Sequence, residues 1–149
     1  MELRAITKEA VVVGVDATFQ DVLDTMHTKH TNTVLVTDEA GILVGEASVS
    51  DLFDAIMPPT VDGDTALTDF ADEATFQAAV AAAADTPVSE FMSADFDTVT
   101  PDDSFVAVAA IALGAGRTRI AVIDHEQRPI GIISRQGLKQ ILAKTLKVT

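Results

Sequence analysis

The 149 residues contain no cysteine, tryptophan or tyrosine, and the seven phenylalanines hold the aromatic share to 5%. Without cysteine, a disulfide scaffold, a thiolate zinc site and a cysteine nucleophile are all excluded, which suits a reducing compartment. With so few rings, the core has to be built from Val, Ile, Leu and Ala. Positive charge is scarce too: ten Lys and Arg stand against 23 Asp and Glu, a formal net charge of −13. That is the wrong sign for displacing counterions from a phosphate backbone, so nucleic acid is not an expected partner. From Lys29 to Arg117 no Lys or Arg intervenes, whereas Arg117, Arg119, Arg128, Arg135, Lys139, Lys144 and Lys147 crowd the last third. An anionic ligand must find its counter-charge there or at Arg4, Lys8 and Lys29.

Long apolar runs are missing as well, since Asp or Gly breaks each one short of a membrane span, and Met1-Glu2-Leu3-Arg4-Ala5 has no signal-peptide pattern. The expectation is a cytoplasmic protein with no membrane partner. No Walker-type loop, no GxGxxG and no nucleophile with an evident His partner occurs, so no catalytic residues are expected. His27 and His30 lie three apart, but no nearby ligand completes a metal site, and His125 falls in a turn; no metal is expected.

What is present is a repeat at one fixed offset. Gly45 and Ser48 recur as Gly131 and Ser134, and 131 − 45 = 134 − 48 = 86. The same offset pairs Val13 with Val99, Asp16 with Asp102, Phe19 with Phe105, Val22 with Val108, Val36 with Val122, Asp38 with Asp124 and Leu52 with Leu138. Composition alone would give roughly four identities over such a span, and these nine fall at matching structural points. In each half, Thr18 or Ser104 stands as a helix N-cap before apolar residues at helical spacing, with Asp21 completing a capping box in the first half only. Two β-rich runs follow: Val34 to Val36 and Ile42 to Val44, then Ile120 to Ile123 and Ile130 to Ile133. Asp38 to Gly41 and Asp124 to Gln127 supply the turns, and a second helix runs from Asp51 to Met57 and from Gln136 to Leu146. Each repeat therefore reads β-α-β-β-α in an α/β (α+β) chain. Pro58-Pro59 stops the first repeat, Val61 to Asp64 is loop, and Asp69 to Ala84 is an Ala-rich acidic helix that Phe70 and Phe76 could pin. The expected division is 1–57, 58–87 and 88–149.

At this point the residues resemble a known family. Val88-Ser89-Glu90-Phe91-Met92, Thr98 to Phe105, Arg119 to Asp124 and Gly131-Ile132-Ile133-Ser134 look like a CBS domain, and Val15 to Phe19, Val34 to Asp38 and Gly45 to Asp51 repeat the pattern. The chain is similar to small stand-alone bacterial or archaeal proteins with two such repeats. The resemblance implies two repeats stacked through their sheets about a pseudo-twofold axis, leaving clefts between them, and commonly a homodimer. It also implies a ligand motif, G-h-x-S/T-x-x-D/N, where a strand gives way to a helix.

The chemistry of that motif follows from its residues. Gly45 permits close approach, the Ser48 hydroxyl can donate to phosphate or ribose, and Asp51 can accept from vicinal ribose hydroxyls. The second copy has Gly131 and Ser134 but Gly137 in place of the carboxylate, so one principal site organised by Asp51 is expected. A carboxylate restored at 137 is expected to create a second site if that stretch is ordinary helix. Arg117 and Arg119, on alternate residues, are the candidate phosphate partners. Val11, Val12 and Val13, with Thr33 and Leu35, would line an adenine slot.

The functional expectation is a regulatory module that binds an adenosyl ligand such as AMP, ADP, ATP or S-adenosylmethionine, with no obligatory cofactor and an unidentified client protein. The alternative is a ligand-free dimer that serves as a protein-protein interaction module.

Overall fold

The structure, a computed structural model, describes residues 2–57, 72–116 and 119–148. The Pro58-Pro59 stop, the Val61 to Asp64 loop, the helix onset at Asp69, Phe70 as anchor and Arg117 as phosphate partner all lie outside the described residues. In chain order the elements are β1 (Val12–Gly14), α1 (Phe19–Lys29), β2 (Thr33–Thr37), β3 (Leu43–Ser48), α2 (Val49–Ile56), α3 (Glu73–Ala83), β4 (Thr98–Val99), α4 (Phe105–Gly114), β5 (Ile120–Ile123), β6 (Pro129–Ile133) and α5 (Arg135–Thr145). Short 3-10 turns at Leu3–Ile6 and Val88–Glu90 precede the two halves.

Local chemistry starts the helices where the sequence places them. The Thr18 hydroxyl accepts from the Asp21 amide at 3.1 Å, and the Asp21 carboxylate accepts from the Thr18 amide at 3.0 Å, closing the expected box. Ser104 caps α4 by accepting from the Ala107 amide at 3.2 Å. The helix expected from Asp69 to Ala84 is not continuous, because Asp72 has extended backbone and caps α3 by accepting from the Thr75 amide at 2.6 Å. The strand β3 runs four residues beyond the Val44 that β-propensity suggests. Gly45 and Glu46 are poor strand formers, but here both edges of the strand are paired, one by β2 and the other by Ser93.

The repeat is legible in the hydrogen bonds themselves. Each half holds a three-stranded sheet, ordered β1-β2-β3 and β4-β5-β6, with the first pair parallel and the second antiparallel. Val34 pairs with Ala47 and Ile120 with Ile133, and 120 − 34 = 133 − 47 = 86. Even the register shift between Val36 and Thr37 recurs between Val122 and Ile123.

All five residues of β2 are buried, because helices cover one face of the sheet and the other repeat covers its second face. Phe19, Val22, Met26, Val34, Val36 and Leu52 anchor the first helical core; Val99, Val108, Ile120, Val122 and Ile133 anchor the second. Between the sheets, Leu35, Leu43 and Ala121 form a third core with Phe96, Ile123 and Ile132 against it.

The two halves also exchange their leading segments. Leu3 and Ile6, at the chain start, are buried in the core of the second repeat, while Val88, just before the second repeat, is buried in the core of the first. Lys8 then pairs with Ile132 on the edge of β6, and Ser93 pairs with Glu46 on the edge of β3.

Candidate functional site

The contact that organises the space between the repeats joins Arg119 to Thr33. The guanidinium Nη1 donates to the Thr33 hydroxyl, and the two residues are 86 apart, the repeat offset itself. Residues related by a twofold can touch only beside its axis, so this bond marks the pseudo-axis, as does the meeting of Leu35 with Ala121. Arg128 adds a second tie, donating from Nε to the Ala40 carbonyl at 3.2 Å.

Around Arg119 open two adjoining clefts. One, of about 340 Å³, is lined by Lys8, Glu9, Val11, Lys29, His30, Thr31, Asn32, Thr33, Leu35, Arg119, Ile132 and Ser134. The other, of about 390 Å³, is lined by Asn32, Ser48, Val49, Ser50, Arg119 and Arg135. Asn32 and Arg119 border both.

The first cleft gathers Lys8, Lys29 and Arg119 in a chain whose net charge is −13. Lys8 arrives there because its backbone is pinned to β6, donating to the Ile132 carbonyl at 2.8 Å. Into the same cleft comes Ser134, at the start of α5, and its hydroxyl oxygen is buried without a hydrogen-bond partner. A buried, unsatisfied hydroxyl costs about 1–3 kcal/mol, which a ligand oxygen reaching it would relieve. The Ser134 side chain makes no capping bond to α5.

The equivalent junction in the first repeat is closed. The Asp51 carboxylate accepts from the Ser48 amide at 2.8 Å and from the Ser48 hydroxyl at 3.1 Å, while Ser48 Oγ faces the Asp51 amide at 3.4 Å. Ser-x-x-Asp is a capping box at the start of α2, the same arrangement that Thr18 and Asp21 make at the start of α1. Ser48 lines the second cleft; Asp51 lines neither cleft.

The glycines of the two motif copies face the chain's own crossing segments. A Cβ on Gly45 would stand 2.6 Å from Met92 Sδ and 3.0 Å from the Ser93 carbonyl, and one on Gly131 would meet Thr7 Cγ2 and, at 2.8 Å, the Lys8 carbonyl. Gly137 corrects an expectation. Although it sits in ordinary helix, it is buried, and a Cβ there would lie 2.8 Å from the Ile6 carbonyl and 3.2 Å from Ile133 Cγ2. A carboxylate therefore cannot be restored at 137 without pushing aside the Leu3–Ile6 turn.

Of the other sequence candidates, Val11, Thr33, Leu35 and Arg119 come together in the first cleft, while Val12 points away and is 43% exposed. Lys8 and Lys29, noted in the sequence only as possible counter-charges, join them, and Arg135, noted in the same way, lines the second cleft; Asn32 and Ser50 gave no sequence signal. His27 borders an apolar groove between α1, α2 and α3, and His30 borders both that groove and the first cleft. Carboxylates with lowered pKa lie away from the clefts. The Arg128 amide donates to Asp124, and the Thr75 amide to Asp72, holding each below the usual 3.8.

Three comparisons bear on this arrangement. A family model of the CBS domain matches the chain twice, over residues 2–58 and 88–144. Among curated proteins none matches. Solved structures do. A CBS domain-containing protein from Kribbella flavida is 22% identical with a TM-score of 0.78, the alignment covering 96% of this chain and 99% of that one. A CBS domain pair/ACT domain protein from Thermotoga maritima is 21% identical with a TM-score of 0.67, covering 98% and 99%. The CBS domain pair of protein MJ0100, in complex with 5′-methylthioadenosine and S-adenosyl-L-methionine, is 15% identical with a TM-score of 0.69, covering 95% and 99%. Among the described residues no helix is long and apolar enough to cross a membrane.

Proposed function

This chain belongs to the CBS-domain family, and on that premise we propose that it is a non-catalytic regulatory module that binds a phosphate-bearing adenosine nucleotide across the paired clefts around Arg119. The observation that carries the reading is the convergence of Lys8, Lys29 and Arg119 with the unsatisfied Ser134 hydroxyl in one cleft between the repeats. Three cations in a space of about 340 Å³ favour AMP, ADP or ATP over a sulfonium or uncharged adenosyl ligand. The MJ0100 pair, with its bound 5′-methylthioadenosine and S-adenosylmethionine, supports the adenosyl class.

In this reading the two motif copies divide the ligand. The Ser134 copy has no carboxylate and no room for one, so it takes phosphate oxygens together with Lys8, Lys29 and Arg119. The Ser48 copy keeps Asp51, which lines neither cleft while it holds the Ser48 hydroxyl, and takes the ribose hydroxyls once Asp51 gives up that hydroxyl and turns toward the cleft lined by Ser48. Val11, Thr33 and Leu35 offer the base an apolar wall beside the same arginine. Arg117 is kept as a further phosphate partner, and the module is proposed to act as a cytoplasmic homodimer on a client protein.

A thermal-shift panel of AMP, ADP, ATP, S-adenosylmethionine and 5′-methylthioadenosine tests the class. A phosphate-bearing ligand at a hundred times its Kd should add about 2.7 kcal/mol to stability. The variant Asp51→Asn tests the ribose assignment, because the amide oxygen still accepts from the Ser48 amide while the charge is lost. Stability close to wild type with roughly tenfold weaker nucleotide binding is expected. Unchanged affinity would leave Asp51 with its capping role alone, and no shift by any ligand would favour the ligand-free interaction module.

A further inference from the structure

The first cleft holds a carboxylate that neither phosphate nor ribose recognition uses. Glu9 lines it together with Lys8, Lys29 and Arg119, yet a carboxylate carries the sign of a phosphate and, like it, only accepts hydrogen bonds. Glu9 therefore opposes the part of the ligand that the three cations attract. It is not there to neutralise them either: among the described residues, neither Glu9 nor any of the three has an ion-pair partner.

The backbone places Glu9 on the apolar side of the cleft. Lys8 pairs with Ile132 on the edge of β6, and the Val11 carbonyl accepts from the Leu35 amide at 2.8 Å just before β1 begins. Glu9 lies on the strand-like stretch between these pairings, along which successive side chains alternate. The alternation shows in what each one meets: Glu9 and Val11 line the cleft, while Ala10 packs against the core between the sheets and Val12 points away. Glu9 thus stands on the same side as Val11, which forms the apolar wall with Leu35 and Ile132.

We propose that Glu9 reads the base of the nucleotide, its carboxylate accepting a hydrogen bond from the 6-amino group of adenine. The inference rests on the nucleotide reading of these clefts and adds the residue that selects the base. Each other part of the ligand already has a counterpart of matching chemistry: the phosphates meet three cations and the Ser134 hydroxyl, and the ribose hydroxyls meet Asp51. What remains for an acceptor beside the apolar wall is the donor edge of the base. Adenine offers an amino donor at position 6, where guanine offers an oxygen. A site built around one hydrogen bond to its ligand discriminates strongly against a ligand that lacks it, because the polar group of the site is then left unpaired.

Calorimetric titration with ADP and with purine riboside 5′-diphosphate, which differs from ADP only by lacking the 6-amino group, tests the assignment. Wild type should bind ADP at least about tenfold more tightly. In Glu9→Ala, at an exposed position, that ratio should fall to about one. Removing the charge also relieves its repulsion of phosphate, but this acts on both ligands alike, so the ratio carries the test. A ratio unchanged in Glu9→Ala, or equal binding of both ligands by wild type, would overturn the role of Glu9 and leave the nucleotide reading standing. Guanine can offer a carboxylate its N1–H and 2-amino donors together, so GDP is the third ligand, and GDP binding more tightly than ADP would overturn the choice of base. No binding of any of the three would overturn the nucleotide reading and this inference with it.

Discussion

At Gly137 the missing side chain carries the information. The position corresponds to Asp51, and its loss reads in the sequence as a site decaying. In the structure it reads as packing, because the Ile6 carbonyl occupies the place where a Cβ would stand. Gly137→Asp should therefore destabilise by about 1–3 kcal/mol, the usual penalty for overpacking a filled core. Urea unfolding checks the cost, and a stable variant with an added nucleotide site would refute the packing account. The residue scale is also where sequence legibility ends earliest. The alternation at Arg119 pointed to phosphate contact, but its bond to Thr33 across the pseudo-axis belongs to the pairing of two distant segments. Ser48 and Asp51 were legible as a motif, while the same two residues also satisfy the capping pattern, and one sequence cannot say which job came first.

Elements were easier to read because their signals are local. The caps at Thr18 and Ser104 use side chains within three residues of the amides they satisfy, and the turns at Asp38 and Asp124 fold their carboxylates back onto nearby amides; the cap at Asp72 was missed inside the helix expected from Asp69. The length of β3 was not legible, since Ser93, which pairs its outer edge, lies far along the chain. For α3 a pH dependence follows. The Thr75 amide and hydroxyl hold the Asp72 pKa below 3.8 in the folded chain, so the cap contributes above that value and its contribution is lost as the pH falls through the lowered pKa. The protection of the Glu73–Ala83 amides, with exchange corrected for its intrinsic pH dependence, should therefore fall on acidification below 3.8. Asp72→Ala should exchange quickly at neutral pH already and lose this dependence. Exchange that is equally slow in both proteins across that range would contradict the capping role.

For the whole molecule, the exchange of leading segments makes the two repeats one folding unit. Leu3, only 2% exposed, completes the core of a repeat that begins more than eighty positions later. Leu3→Ala should accordingly cost about 2–5 kcal/mol, as buried leucines do, and should shift a single unfolding transition. A loss below about 0.5 kcal/mol would show the turn to be dispensable. The 86-residue offset revealed the two repeats and their strand order, because it is written in identities. The exchange is carried only by contacts between distant segments, and no spacing announces it. The exchange is also what brings Lys8 to Ser134, so the proposed phosphate cleft depends on it.

The central claim, that this cleft recognises phosphate on an adenosine ligand, is tested most directly by calorimetric titration of the wild-type protein with ADP and with adenosine at the same salt concentration. The account predicts that ADP binds at least about tenfold more tightly, since charge-assisted hydrogen bonds contribute about 1.5–3 kcal/mol each. Equal affinity for the two, or no binding of ADP at all, would contradict it.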